Sequence, residues 1–413
     1  MMKGRTMINR IKQYSQEKNI YFAIFLLIES IVFILFSAYN LYKHGKPLNL
    51  LMLSSDSQFG DFFMHIGYAS APIGTNIYAF SADACFPPLA YTMYGILARI
   101  TGYRAENPID TTAHMNVGNN LTIYLIYTIV CIVLLLYAIS LFQNKYNVKN
   151  QVLFPCLLIV SYPFALSSLQ RGNSVLLVAI LLCIALSWRD DKSKIKQEMA
   201  MVIIAVCAGL KIYPAIFGLL YLKERRYWQT LRLVIYGIIF FFVPFLWFGG
   251  IDGMRSFFET LFILNGVVHL SSVQGISNKI LQIFGIDSPT TLFVIQQLFL
   301  IISLIGFFLC KSKWGEVLLL SGLMTMYISS SWMYTCVYML PPLLMFFKET
   351  NKGSAKIDLY KLIYTALFSV IFSIPYFGNY PLIYLTILLF VVIVATNSVI
   401  SSFKNKKIKH HNS

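Results

Sequence analysis

The chain has 413 residues, of which 57% are hydrophobic and only 12% are charged. Soluble domains carry roughly 25% charged residues, so this composition excludes an ordinary soluble protein and predicts a membrane protein. The formal net charge of +16 comes from Lys and Arg clusters that lie between apolar runs, which is typical of cytoplasmic loops and not of a nucleic-acid-binding surface. We therefore expect a lipid bilayer, and no nucleic acid, among the partners.

The apolar runs predict an all-α polytopic membrane protein with about twelve transmembrane helices. The first run, residues 21–42, follows a basic N-terminus, so we expect a retained helix that leaves the cytoplasm. A first outer loop, residues 43–120, holds two shorter apolar pieces. The later spans are predicted at 121–142, 152–169, 174–188, 199–222 (two short crossings), 230–249, 291–310, 315–331, 333–347, 359–376 and 381–401.

The side on which each loop lies depends on how many segments cross the membrane. If residues 87–103 crossed, the basic residues between 145 and 196 would lie outside, whereas a flat amphipathic helix on the outer surface keeps them inside. To keep the later basic loops inside as well, residues 199–222 must form two short spans that meet near Lys211 and Pro214 on the outer side. Proline and a charge both favour a break there.

The resulting topology has both termini in the cytoplasm. The whole chain, residues 1–413, is predicted to form one integral membrane domain. A second outer segment, residues 250–290, lies on the same side as the first outer loop. We expect a cell membrane location, with a bacterial inner membrane as the natural host because no retention signal is evident.

Two acids in the first outer loop are candidates for acid–base chemistry. Asp56 and Asp61 lie beside the short amphipathic piece at residues 59–71. A carboxylate at the membrane face can take a proton from an acceptor hydroxyl while the leaving group stays in the lipid. Aspartate is also a favoured helix N-cap, so the pattern alone leaves a catalytic and a structural role open.

Several basic side chains near the outer ends of the spans could bind an anion. Arg171 lies between two spans, where arginine beside a helix N-terminus can hold a phosphate, although it could also be a snorkelling interfacial residue. Lys211 lies beside the predicted break, and an ionisable group at membrane depth is a functional candidate. His269 and Lys279 in the second outer loop could reach a sugar or phosphate from the opposite wall.

Metal and cofactor motifs are missing from the sequence. The seven cysteines are scattered singly, and no set of His, Cys and carboxylate residues has the spacing of metal ligands. There is no phosphate-binding glycine loop. We therefore expect neither a metal nor a cofactor.

Short motifs follow one another in a fixed order between residues 20 and 350: Gly60-Asp61-Phe62-Phe63, Tyr68-Ala69, Phe86-Pro87-Pro88-Leu89-Ala90-Tyr91, Gln170-Arg171-Gly172-Asn173-Ser174, Gly209-Leu210-Lys211-Ile212-Tyr213-Pro214, and Ser331-Trp332 to Pro341-Pro342. In their order and predicted membrane side they resemble glycosyltransferase family 87. The resemblance implies a GT-C fold with juxtamembrane helices on the outer face. It also implies a polyprenyl-phosphate sugar as donor.

The resemblance also implies roles for individual residues. Asp61 matches the first-loop acid expected to be the general base, with Asp56 as its rival. Arg171 and Lys211 match positions near the lipid phosphate of the donor, and Asn173 stands where many relatives have glutamine. The implied reaction is inverting transfer of a hexose or pentose from a polyprenyl monophosphate to a glycan or lipid acceptor on the outer face.

Two other functions stay open. A polysaccharide polymerase or ligase that uses diphosphate-linked glycans would also have about twelve spans, and usually relies on arginines in its outer loops. A secondary transporter would show repeated halves and charges near the midplane. The small number of outer arginines and the lack of an internal repeat favour the glycosyltransferase interpretation.

Overall fold

The structure is a computed structural model and describes residues 19–45, 59–104, 121–142, 148–164, 169, 171–271, 284–285, 288–327, 333–350, 358–373 and 380–411. Within these ranges the regular structure is entirely helical and contains no strand. The prediction of an all-α protein is therefore confirmed.

Fourteen helices of ten or more residues occur in the described ranges: α1 Ile20–His44, α2 Gly60–Ala69, α3 Pro88–Thr101, α4 Leu121–Phe142, α5 Val148–Val160, α6 Val175–Trp188, α7 Lys194–Leu210, α8 Tyr227–Phe242, α9 Gly250–Ser271, α10 Pro289–Leu309, α11 Lys313–Met326, α12 Leu340–Thr350, α13 Leu359–Ser373 and α14 Tyr380–His411. Shorter helical pieces lie between them: 3-10 helices at Ile77–Ala79, Tyr213–Gly218, Val243–Trp247 and Met333–Met339, and short α-helical pieces at Tyr162–Phe164 and Leu219–Lys223.

Four segments in the described part of the chain are long and apolar enough to cross a membrane: Ile20–Lys43, Leu121–Phe142, Tyr227–Trp247 and Leu382–Lys404. Three shorter helices are also strongly apolar: Val175–Trp188, Phe293–Leu309 and Leu359–Ser373. These helices agree with a membrane protein, while the count of twelve spans stays a prediction.

Some predicted spans are not continuous α-helices. The segment predicted at 333–347 begins as a 3-10 helix and becomes α-helical only at α12, which carries Pro341 and Pro342 in its first turn, where proline is tolerated. The predicted break near Lys211 is present, because α7 ends at Leu210 and a 3-10 helix begins at Tyr213. Backbone chemistry at the prolines accounts for both interruptions.

Helix α3 is the amphipathic helix predicted at 87–103. Its 14 residues span about 21 Å, which is shorter than the roughly 30 Å hydrocarbon core of a bilayer. One face is buried, including Tyr91, Tyr94 and Ala98, while Ile100 is 77% exposed. This pattern agrees with a helix that lies along a surface.

Ion pairs bring three of the predicted cytoplasmic loops to one end of the molecule. Asp190 accepts from Arg226 at 2.8 Å and from Arg189 at 3.2 Å, and it also pairs with Lys313. Arg189, whose side chain is only 3% exposed, pairs in addition with Glu224 at 2.8 Å. We call these five residues the Asp190 cluster, and the end of the molecule where they lie the basic end.

Two further contacts bring the start of α1 and the end of α12 to the basic end. The Asn19 side chain donates to the backbone oxygen of Phe347 at 2.7 Å, and the backbone N–H of Trp314, next to Lys313, donates to Glu349 at 3.0 Å. These segments, which we predict to lie on the cytoplasmic side, therefore meet at one end of the structure.

The two predicted outer segments contact each other at the opposite end. Asn76 donates to the Ser256 hydroxyl at 2.9 Å, and the rings of Tyr78 and Phe257 lie 5.2 Å apart. The predicted second outer segment contains a 22-residue helix, α9. Its N-terminal half packs against the segment that leads from α2 to α3.

We predict that Asp190→Asn loosens the basic end, because Arg189 is then left buried with one fewer anionic partner. The expected loss is about 1–3 kcal/mol of unfolding free energy, between the values for exposed and fully buried pairs. Thermal unfolding in detergent measures this loss, with labelling of the buried thiols of Cys183 and Cys207 as the readout. The neighbouring Asp191→Asn, whose ion pair is with the exposed Lys196, is the control and should have a smaller effect; equal losses would contradict the prediction.

Candidate active site

The site is built on the first turn of α2. Phe59, just before this helix, has a positive φ of 57°, an unfavourable conformation for an aromatic residue. Its ring packs 4.2 Å from that of Tyr124, which fixes the direction in which the helix starts. Asp61 then lies in the first helical turn, only 6% exposed. A carboxylate is favoured there by the helix dipole.

A tight turn at Arg171, Gly172 and Asn173 docks against this helix. The N–H of Phe62 donates to the backbone oxygen of Arg171 at 3.1 Å. Gly172 has a φ of 68°, and a Cβ atom added to it would lie 2.4 Å from the Cβ of Phe62. Only glycine therefore allows the turn to approach α2 so closely.

The docked turn places two donors on the Asp61 carboxylate. Arg171 donates from Nε at 3.0 Å and from Nη2 at 2.6 Å, both to Oδ1. Asn173 donates from Nδ2 to Oδ2 at 2.8 Å. Burial by itself raises the pKa of Asp61, but the hydrogen bonds and charge of Arg171 and the hydrogen bond of Asn173 lower it overall. Asp61 is therefore ionised at neutral pH.

Lys211 brings a second cation to the same region from the break after α7. Its ammonium lies 3.1 Å from the centroid of the Phe86 ring, a cation–π contact, and the residue is 6% exposed. Among the described residues, no oxygen accepts a hydrogen bond from this ammonium. Burial lowers the pKa of Lys211 to about 8, although the charge of Asp61 acts in the opposite direction.

His65 packs against the same Phe86 ring that contacts Lys211. Its ring lies 3.6 Å from that of Phe86, and its Nδ1 is 3.1 Å from the Tyr91 hydroxyl. Burial lowers the pKa of His65 to about 3, so the imidazole is neutral. His65, Phe86 and Tyr91 are not among the site residues predicted from the sequence, although His65 follows Asp61 by four positions, which places both on one helix face.

The structure thus brings together four of the residues singled out from the sequence. Asp61, Arg171 and Asn173 are joined directly, and Lys211 reaches the same cluster through Phe86. We call these four residues, together with Phe86 and His65, the Asp61 cluster.

The other selected residues cannot be placed in the cluster. Asp56 and Lys279 lie outside the described residues, as does the side chain of His269, which is carried by α9. No group of three His, Cys, Asp or Glu residues is arranged around a metal position within the described ranges.

The charges of the Asp61 cluster do not balance. One carboxylate faces a guanidinium and an ammonium, and the imidazole is neutral, so the cluster carries one unmatched positive charge below the pKa of Lys211. Buried charge is costly unless it is paired. This arrangement favours an anionic ligand, and a phosphate suits both cations.

The comparison with known families agrees with this chemistry. The model of glycosyltransferase family 87 matches residues 112–336, which is more than half of the chain. The matched region includes the turn at Arg171 and the break at Lys211 but begins after Asp61. No curated protein matches the chain.

We predict that Gly172→Ala destabilises the site more than Gly102→Ala. Both glycines have a φ near 70°, but a Cβ at Gly102 meets nothing within 4 Å. Gly102→Ala should therefore cost only the left-handed backbone, about 1–2 kcal/mol. Gly172→Ala should lose about 1–3 kcal/mol more because the turn must move away from Phe62. Thermal unfolding of the two variants in detergent makes the comparison, and equal losses would show that close packing at Gly172 is unimportant.

Proposed function

Because the chain belongs to glycosyltransferase family 87 and is a membrane glycosyltransferase, we propose that it transfers a hexose or pentose from a polyprenyl monophosphate to a glycan or lipid acceptor, with inversion, on the outer face. The observation that carries this proposal is the Asp61 carboxylate, which Arg171 and Asn173 hold beside the unmatched ammonium of Lys211.

The topology belongs to the same proposal. The basic end faces the cytoplasm, because lysine and arginine are retained there, and the Asp61 cluster lies at the opposite, outer end. The full chain has a GT-C architecture with about twelve spans and both termini in the cytoplasm, in a bacterial inner membrane. The contacts within the Asp190 cluster support this orientation.

The donor phosphate binds between the two cations. Lys211 is buried with an aromatic ring as its neighbour, so a phosphate would supply the anionic partner that its charge requires. Arg171 approaches the same phosphate while keeping contact with Asp61, since a guanidinium presents N–H groups on several sides of one plane. The polyprenyl chain remains in the surrounding lipid.

Asp61 acts as the general base. The acceptor hydroxyl oxygen forms a bond to the anomeric carbon, the bond from this carbon to the phosphate oxygen breaks, and the lipid phosphate leaves with the electron pair. The hydroxyl proton passes to Asp61. The two cations offset the negative charge that develops on the phosphate.

Sharing of Arg171 couples donor binding to the strength of the base. In the free protein Arg171 contributes to the low pKa of Asp61, which keeps the carboxylate ionised but makes it a weak base. A bound phosphate draws the guanidinium charge toward itself, and the pKa of Asp61 rises. The carboxylate therefore becomes a stronger base when the donor is present.

We predict that Asp61→Asn abolishes transfer. Loss of a general base lowers rates by about 10²- to 10⁴-fold, whereas asparagine preserves the size of the side chain. The assay measures transfer of radiolabelled sugar from a panel of polyprenyl-phosphate sugars to endogenous acceptors, in membranes that carry wild-type or variant protein.

Two further variants test whether the loss of transfer is specific to Asp61. Asp83→Asn removes an exposed acid of the same outer segment and should retain transfer. Asp56→Asn tests the rival base: if it loses activity while Asp61→Asn keeps it, the assignment is wrong. Transfer only from diphosphate-linked glycans would instead favour a polymerase or ligase, and no transfer from any donor would favour a transporter.

We predict that donor binding weakens above about pH 8. Lys211, with a pKa of about 8, is charged below this pH and neutral above it, so the donor KM should rise by about tenfold as the ammonium contact is lost. Lys211→Arg stays charged and should give a flat KM over pH 7–10. A wild-type KM that is constant across this range would contradict the role of Lys211.

A further inference from the structure

A cavity lies at the C-terminal end of α2. Its volume is about 590 Å³, and residues 70–73, 98–99 and 102–104 supply its lining. Asp61 and Ala69 are eight residues apart on α2, or about 12 Å along its axis, so the cavity is separate from the Asp61 carboxylate. Its volume lies within the range of small-molecule sites.

The cavity has a cationic wall. Arg99 and Arg104 line it, and none of the described residues of its lining is an acid. Arg99 is fixed in place, because it donates to the backbone oxygens of Gly95 at 2.9 Å and Ala71 at 3.1 Å and lies 5.0 Å from the Trp247 ring. A held guanidinium next to a second arginine favours an anion, and its planar donors suit a phosphate.

The surroundings of the cavity are apolar. Ile73, which lines it, is 65% exposed, and Ile96 and Ile100 on α3 are 44% and 77% exposed. Positions 96, 99 and 100 lie on one face of α3, so two isoleucines share this face with Arg99. Exposed apolar and basic residues on one face are typical of helices that lie in the membrane interface.

We propose that this cavity binds the phosphate headgroup of an anionic phospholipid. The two arginines contact the phosphate, and the three isoleucines contact the acyl chains. A free phosphate in water would use the arginines but would leave the isoleucines exposed, so the apolar rim favours the lipid. This inference does not depend on sugar transfer.

A lipid at this position would also steady the Asp61 cluster. Helix α3 carries the arginine at one end and, two turns earlier, Tyr91, whose hydroxyl lies beside His65. Tyr94 of the same helix donates to the backbone oxygen of Gly172 at 3.4 Å. Lipid that fixes α3 against the membrane therefore holds the docked turn in position.

Native mass spectrometry of the full chain in neutral detergent tests the proposal. The protein is titrated with phosphatidylglycerol, with phosphatidylcholine and with glycerol phosphate, and bound lipids are counted. We expect phosphatidylglycerol to bind more tightly than phosphatidylcholine. Arg104→Gln, at an exposed residue, should weaken phosphatidylglycerol binding about fivefold, the effect of one basic residue near a membrane surface. Addition of Arg99→Gln should weaken it further by about the same factor.

Control variants separate lipid binding in the cavity from a general effect of surface charge. Arg255→Gln removes an exposed arginine of α9 that pairs with Glu259 and should leave binding unchanged. Ile100→Ser should weaken phosphatidylglycerol binding but not that of glycerol phosphate. Equal binding of both lipids, unchanged binding in Arg104→Gln, or full displacement of the lipid by an equal concentration of glycerol phosphate would each overturn the proposal.

Discussion

The ionic contact between Asp61 and Arg171 is the interaction on which the end of the protein opposite the basic end depends. A carboxylate that is almost fully buried cannot remain ionised without donors, and both donors come from a turn more than a hundred residues away in sequence. The turn can reach the carboxylate only because Gly172 has no Cβ. A change in the packing at Gly172, in the backbone of this turn or in the charge of either side chain therefore disturbs the contact between Asp61 and Arg171.

Buried cations have different partners at the two ends of the molecule. At the basic end Arg189 pairs with Glu224 and Arg226 pairs with Asp190, and these ion pairs contribute to holding loops together. At the opposite end Lys211 lies against the Phe86 ring, and no described carboxylate forms an ion pair with it. Balanced charge stabilises a structure, whereas an unmatched buried charge raises the affinity for an anionic ligand.

Helix α3 connects the Asp61 cluster with an exposed apolar surface. Its buried face supplies Tyr91 and Tyr94, while its exposed face carries Ile96 and Ile100. The same short helix therefore forms part of the wall of the proposed active site and of the proposed lipid site.

The sequence by itself determined the helical architecture and the grouping of the loops. Hydrophobic runs and basic clusters are local properties, so α4 begins and ends where it was predicted, and the basic loops meet at one end. The sequence also pointed to Asp61, Arg171 and Lys211 as separate candidates. Only the tertiary structure decided that the arginine binds the carboxylate and that the neutral His65 packs against the Phe86 ring, which also contacts Lys211. Such pairings depend on contacts between distant segments and on desolvation, and neither leaves a signal in local composition.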